Sequence, residues 1–321
     1  MMEIGYSLSS EEYPPNDLVG YARAAEEAGF SFALISDHFH PWTSRQGQSP
    51  FVWSVIGAIA QATRRLALGT GVTCPIMRIH PAILAQAAAT SAAMMPGRFF
   101  LGLGTGENLN EHILGDHWPT IETRQEMLVE AIEVMRLLWR GGNQNHEGRY
   151  YTVENARLYS LPEKRPDVMI AAAGKRSAEL AGRIGDGLIS TVPSAAVIEA
   201  FRAAGGEGKP CYGQMTVCWA ESEDAARRTA REIWPVSALP GRLMTELATP
   251  ALFEQASELV TEQDVAEAIV CGPDASRHVE KLNAYREAGF DHVYIHQVGR
   301  DQEGFFRFYH KEVLPQAELK G

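Results

Sequence analysis

Short apolar, β-branched runs alternate with stretches of helical period along nearly the whole chain. The runs that read as strands lie at 3–7, 32–36, 66–72, 99–104, 168–173, 187–191, 214–219 and 292–298. Several are apolar at every position, the pattern of parallel strands covered on both faces. Between them, residues 16–28 follow Pro14-Pro15 and stop before Gly29, so both ends carry a helix signal. Residues 124–139 place Met127, Leu128, Ala131, Val134, Met135 and Leu138 at helical spacing, and residues 222–234 open on Ser222 with acids in the first turn. Strand followed by helix, eight times over, predicts a (β/α)8 TIM barrel in the α/β class; a doubly wound open sheet is the alternative that periodicity leaves.

Two stretches interrupt the alternation. Residues 143–166 read as a loop with a short β-excursion, and 235–260 as a helical insertion before the last units. Barrel enzymes build substrate pockets from such segments on the carboxyl face. No linker or fixed-period repeat divides the chain, so residues 1–321 are expected to form one domain.

Charge and cysteine content narrow the partners. Against 29 basic side chains stand 40 acidic ones, a net charge of −11 with no basic run, which argues against nucleic acid. Cys74, Cys211, Cys218 and Cys271 form no CxxC pair and read as small buried hydrophobes of a reducing compartment. The amino terminus turns acidic where a signal peptide needs a cationic start, and no apolar run approaches the ~18 residues of a membrane span. A cytoplasmic homodimer acting on a small molecule is the expectation.

The densest chemistry follows the second strand, Ser36-Asp37-His38-Phe39-His40-Pro41-Trp42. Barrels place active sites at the carboxyl ends of strands, and an imidazole beside a carboxylate is suited to taking a hydroxyl proton. A capped turn, with Asp37 bonding backbone and Trp42 packing on the rim, is the alternative for each residue alone. His38-x-His40 also resembles a metal pair, with His296 near strand eight as a helper; the ends of strands five and six add no ligand, so no metal is expected. After strand four, Gly102-Leu103-Gly104-Thr105-Gly106-Glu107-Asn108-Leu109-Asn110 permits close backbone approach to a flat ligand. Glu107 there is either an acid facing His38 across the mouth or a first-turn helix carboxylate. Gly71-Val72, ending strand three, suggests an unusual backbone. Ala171-Ala172-Ala173-Gly174-Lys175 ends strand five with small residues and opens a helix able to hold an anionic tail, though Lys175 reads equally as a surface lysine.

Taken together, SDHFHPW, LGTGVTCP, FLGLGTGENLNE, IAAAG and AGRIGDGLIST resemble the coenzyme F420-dependent branch of the luciferase-like monooxygenase superfamily, near its glucose-6-phosphate and secondary alcohol dehydrogenases. The resemblance is good from about residue 3 to 191 and continues weakly to 306. It implies F420 as cofactor and hydride exchange with an alcohol. His38 would be the base, Glu107 the acid toward the deazaflavin, Trp42 a wall beside ring and substrate, and Asp37 and Glu11 active-site acids, Glu11 orienting the substrate. Gly71-Val72 falls at the family's non-proline cis bond, where serine is usual in place of Gly71. Asp37, Gly71, Val72, Thr105, Gly106, Glu107, Asn110, Ala173, Gly174, Ser190 and Thr191 would hold the cofactor. A reduced-FMN monooxygenase on the same barrel, and a catalytically silent flavin-binding protein, are the competing readings.

The chain departs from the sugar-phosphate members where they carry phosphate-gripping cations. In place of a lysine after IST it has Val192-Pro193-Ser194; in place of EKA it has Glu254-Gln255-Ala256; near the later arginine it has Ala266-Glu267. A phosphate without cations is poorly compensated. An uncharged alcohol, sugar or hydroxylated lipid-like molecule is therefore expected, with Trp42, Ser194 and Gln255 at the substrate, unless Arg242 or Arg277 rebuilds an anion site.

Overall fold

The computed structural model describes residues 2–318. Strands β1 (Glu3–Leu8), β2 (Phe32–Ile35), β3 (Ala67–Thr70) and β4 (Phe99–Leu103) pair in order and in parallel. A hairpin, β5 (Gln144–Glu147) with β6 (Thr152–Ala156), intervenes before β7 (Asp167–Ala171), β8 (Gly187–Ser190) and β9 (Cys211–Cys218). A two-residue strand β10 (Val270–Cys271) flanks the end of β9, and β11 (His292–Gln297) pairs with both β9 and β1, closing the sheet on itself. With the helices outside, this is a closed eight-stranded (β/α)8 barrel, as the alternation predicts. The excursion at 143–166 is the β5–β6 hairpin, held by Glu130 of helix Ile121–Leu138, which accepts from the Tyr150 and Tyr151 amides. The two-residue β10 is too short to show a period and escapes prediction.

The elements begin and end where their sequences stop favouring them. Helix Pro15–Ala28 starts on a proline and ends at Gly29 with φ 99°. Helix Glu223–Ile233 is capped by the Ser222 side chain, which accepts from the Ala225 amide.

Alternation along the strands decides what fills the barrel. Phe32, Leu34, Phe100, Met169, Ile189, Tyr212 and Tyr294 form one buried cluster in the lumen. Glycines make room for its rings: a Cβ on Gly5 would meet the Phe32 ring at 2.5 Å, and one on Gly69 the Phe100 ring at 2.2 Å. Leu68, Leu101, Val168, Leu188, Val217 and Val293 face outward into the larger core shared with the helices. Beyond the aromatic plug, at the carboxyl ends of the strands, the two sides of the barrel differ. Gly71 and Gly104 stand on the side of β3 and β4, while Thr216 and His296 stand on β9 and β11, in register with each other. One wall is thus small and the opposite wall polar.

The insertion roofs this opening. Its 3-10 turn Pro235–Ala238 and helices Leu243–Glu246 and Pro250–Ala256 bring Val236 and Phe253 against Trp42 and Leu109, which follow β2 and β4. Among the described residues no helix is long and apolar enough to cross a membrane.

Candidate active site

The loop after β2 and the turn after β1 meet at Glu11. Glu11 is buried, accepting from Ser36 Oγ at 2.5 Å and Ser9 Oγ at 3.1 Å, and its Oε1 lies 3.2 Å from His38 Nε2. Burial pushes this carboxyl up, but His38, the Ser36 hydroxyl and His296 outweigh it and hold it below the ordinary carboxylate range. His38 Nδ1 lies 3.1 Å from the His40 carbonyl oxygen, which only accepts, so Nδ1 carries a hydrogen. Nε2 faces the Glu11 carboxylate, so a proton held on Nε2 is shared with that carboxylate. Trp42 is buried, its ring 4.9 Å from that of His38 and 5.2 Å from that of Phe253.

Asp37 is placed differently. It accepts from Thr73 Oγ1 at 2.8 Å and from Arg78 at 2.8 Å, so it is spent on holding the β2 and β3 loops together. Arg78 also approaches Glu111, Nε to Oε1 at 3.6 Å, and donates its amide to Glu111 Oε2 at 2.8 Å.

After β4, Glu107 precedes the single-turn helix Asn108–Glu111. It stands at the start of that helix, and its side chain makes no cap bond there. It accepts instead from Asn110 Nδ2 at 3.2 Å. Asn110 Oδ1 in turn accepts from the Phe39 and His40 amides at 2.9 and 3.2 Å, so one side chain ties the acid's loop to the base's loop. Glu111, one turn after Glu107, is fully buried, and burial, with help from the charges of Glu107 and Asp37, lifts its carboxyl to about 7.

That value has a consequence for stability. With a folded value above the ordinary 4.5, the stability Glu111 contributes is full below about pH 4.5 and is lost as pH rises through about 7. Glu111→Gln keeps an acceptor for the Arg78 amide and cannot ionise. Urea unfolding at pH 5 and pH 8 is expected to show the variant gaining on the wild type by roughly 2–3 kcal/mol between the two pH values. A difference independent of pH would show that Glu111 does not titrate there.

The small wall is built for close approach. The Gly71–Val72 peptide is cis, and Val72 packs on the lumen cluster. A Cβ on Gly71 would meet Leu34 Cβ at 2.9 Å, which is the local reason for glycine. Gly106 has φ 74°, and a Cβ there would meet Cys74 Sγ at 2.5 Å; one on Gly104 would meet Val72 at 2.8 Å. Thr105 is half-buried, Ala173 exposed, and Gly174 caps helix Lys175–Ile184. Thr191 follows the lumen-facing Ile189 on alternation, whereas Ser190 turns to the helix layer, buried with its hydroxyl unpartnered. Lys175 is exposed.

Of the substrate candidates, Trp42 lies at the site, Ser194 is half-buried ahead of helix Ala195–Phe201, and Gln255 is exposed on the roof. Arg242 is exposed and paired with Glu246 at 3.1 Å; Arg277 pairs with Glu223 at 3.3 Å and donates to the Cys271 carbonyl. Arg124 was not anticipated. It is buried, 4.1 Å over the Trp118 ring and 3.4 Å from Glu246, with two nitrogens unpartnered.

Sequence reasoning passed over Arg78, Glu111 and Glu12. The available signal for Arg78 is a lone cation in the apolar turn TCPIMRIH, a charge that burial obliges to pair; for Glu111 it is the spacing of one helical turn from Glu107. His296, singled out only as a metal helper, pairs with Glu12 at 3.0 Å. Among the described residues no group of three or more His, Cys, Asp or Glu stands together as metal ligands.

Known proteins resemble this arrangement along their whole length. F420-dependent glucose-6-phosphate dehydrogenases of Microbacterium testaceum and Nakamurella multipartita are 34% and 36% identical, over 99% and 98% of this chain and 98% and 96% of theirs. A solved F420-dependent secondary alcohol dehydrogenase, in complex with an F420–acetone adduct, superposes with a TM-score of 0.91 at 31% identity, covering 98% of this chain and 99% of that one. A tetrahydromethanopterin reductase from Methanopyrus kandleri shares the fold at 21% identity and a TM-score of 0.80. The luciferase-like monooxygenase family profile matches residues 2–292, and with an opening flanked by His38 and Glu107 on a closed barrel, the chain belongs to that family.

Proposed function

We propose that the chain is a coenzyme F420-dependent dehydrogenase whose substrate is an uncharged alcohol. The relatives named for F420 support the cofactor, and at Gly71, Gly104 and Gly106 a Cβ would collide with Leu34, Val72 and Cys74, so these strand ends carry no side chain that could stand against a flat ring beside Val72 and Thr105. Asn110, Ala173, Gly174 and Thr191 would complete its seat. When bound, the deazaflavin supplies a ring carbon that takes up or returns hydride.

The observation that carries the substrate class is the pairing of a proton-accepting wall with an apolar roof. His38 Nε2, backed by Glu11, takes the hydroxyl proton as the carbinol carbon gives up hydride, and the developing imidazolium is stabilised by the adjacent carboxylate. Trp42 and Phe253 exclude water above it. Glu107, oriented by Asn110, is the acid opposite. Ser194, Gln255 and Glu267 replace the cations of the sugar-phosphate members, and Arg242 and Arg277 are already paired.

Arg124 supports a second reading, oxidation of a sugar phosphate, since a buried guanidinium with unpartnered N–H groups suits an anion and the relatives are named for glucose 6-phosphate. A substrate panel followed through F420 absorbance separates the two. Turnover of uncharged alcohols with negligible oxidation of glucose 6-phosphate is expected. Efficient oxidation of glucose 6-phosphate, saturating in the usual micromolar to millimolar range and lost in Arg124→Met, establishes the second reading instead.

A further inference from the structure

One buried guanidinium joins the loops that follow β2, β3 and β4. Arg78 stands in the loop after β3, its side chain only 7% exposed. Its Nη2 donates to Asp37 Oδ1 at 2.8 Å, in the loop after β2, and its backbone amide donates to Glu111 Oε2 at 2.8 Å, in the turn after β4. Its Nε stands 3.6 Å from Glu111 Oε1, an ion pair too long for a hydrogen bond, and among the described residues neither atom has a hydrogen-bond partner. Thr73 Oγ1 donates to the remaining Asp37 oxygen at 2.8 Å, so the β3 loop holds Asp37 twice.

These bonds end one step from the proposed chemistry. Asp37 directly precedes His38. The Glu111 amide donates to the Glu107 carbonyl at 3.2 Å, so the turn gripped by Arg78 is the turn on which Glu107 stands. Burial works against a charge on Arg78, but Asp37 and then Glu111 outweigh it and hold the guanidinium above the usual arginine range. Both carboxylates are buried, so neither can turn to water in place of Arg78. A guanidinium is a rigid fork, and here one edge meets Asp37 while the other faces Glu111; a lysine ammonium is a point charge that cannot reproduce it.

We infer that Arg78 is a positioning residue for the hydride transfer, fixing the loop that carries His38 and the turn that carries Glu107 in one geometry by acting through Asp37 and Glu111. The inference rests on the dehydrogenase reading and adds to it the residue that holds base and acid together.

Arg78→Lys keeps the charge and loses the fork. With cyclohexanol, kcat is expected to fall about tenfold or more while KM and F420 affinity stay within about twofold, because misplacing reacting groups by ~1 Å costs on the order of 10²-fold. Nuclear magnetic resonance of ring-labelled histidine gives a readout that needs no turnover. The His38 imidazole signals, identified by their loss in His38→Ala, are expected to move in Arg78→Lys. Those of His278, bonded to the Tyr309 hydroxyl and the Gly272 carbonyl, are expected to stay. Unchanged kcat per bound cofactor would overturn the inference, whatever the variant loses in stability, since that marks a merely structural arginine. So would unmoved His38 signals. If Arg78→Lys does not fold, Thr73→Val removes one bond from Asp37 and is read the same way, with a smaller loss expected. Moved His38 signals with no alcohol oxidised by the wild type would keep Arg78's hold on the loop and overturn the dehydrogenase reading.

Discussion

His38→Ala is expected to lower turnover by about a hundredfold or more while cofactor affinity is retained. General base catalysis contributes roughly 10²–10⁴, and the imidazole is the group that receives the hydroxyl proton. The geometry sharpens this expectation. Nδ1 is committed to the His40 carbonyl and Nε2 faces Glu11, so alanine removes the imidazole and leaves buried Glu11 without that partner. The imidazole makes no bond to Gly71, Val72 or Gly106, so the effect on the ring's seat is expected to be small. A loss confined to kcat is the expected signature in steady-state assays alongside F420 fluorescence titration. Unchanged turnover would remove His38 from the chemistry.

Glu107→Gln is the second large effect. Glutamine retains the size of the side chain and an oxygen for Asn110 Nδ2, but has no carboxyl proton to give or take. Cofactor reduction measured by stopped flow is expected to slow by roughly 10²-fold, the lower end of acid–base contributions, with the cofactor still bound. Full activity would mean that Glu107 serves only to brace the loop through Asn110. The structure makes that alternative concrete, since the same amide side chain holds Phe39 and His40, and Asn110→Ala is the variant that would then carry the loss.

Much of this was legible before any coordinates. The eight barrel strands follow from short β-rich runs, several of them apolar throughout, and the candidate site residues from the motifs after β2 and β4. The cis bond at Gly71–Val72 was anticipated through resemblance, and the structure adds why glycine replaces serine: Leu34 occupies the space of a side chain. What escaped has a common cause. Arg78, Glu111, Glu12 and Arg124 act through pairing across elements distant in sequence, and a lone charge does not announce its partner. Asp37 shows the same limit from the other side. Its place beside His38 suggested chemistry, yet its carboxylate is held by Thr73 and Arg78 beneath the loop. The strand β10 was lost for a different reason, since two residues give no periodicity to read.

The central claim is that hydride passes directly between an uncharged carbinol carbon and F420 held on the small wall. Cyclohexanol or 1,2-cyclohexanediol deuterated at the carbinol carbon, incubated with the protein and F420, tests it by mass spectrometry of the recovered cofactor. One deuterium in the reduced F420 is the result predicted, together with a slower reaction than the protiated alcohol gives. Reduced cofactor carrying only solvent hydrogen, or no reduction with any uncharged alcohol while FMN binds and F420 does not, would contradict it.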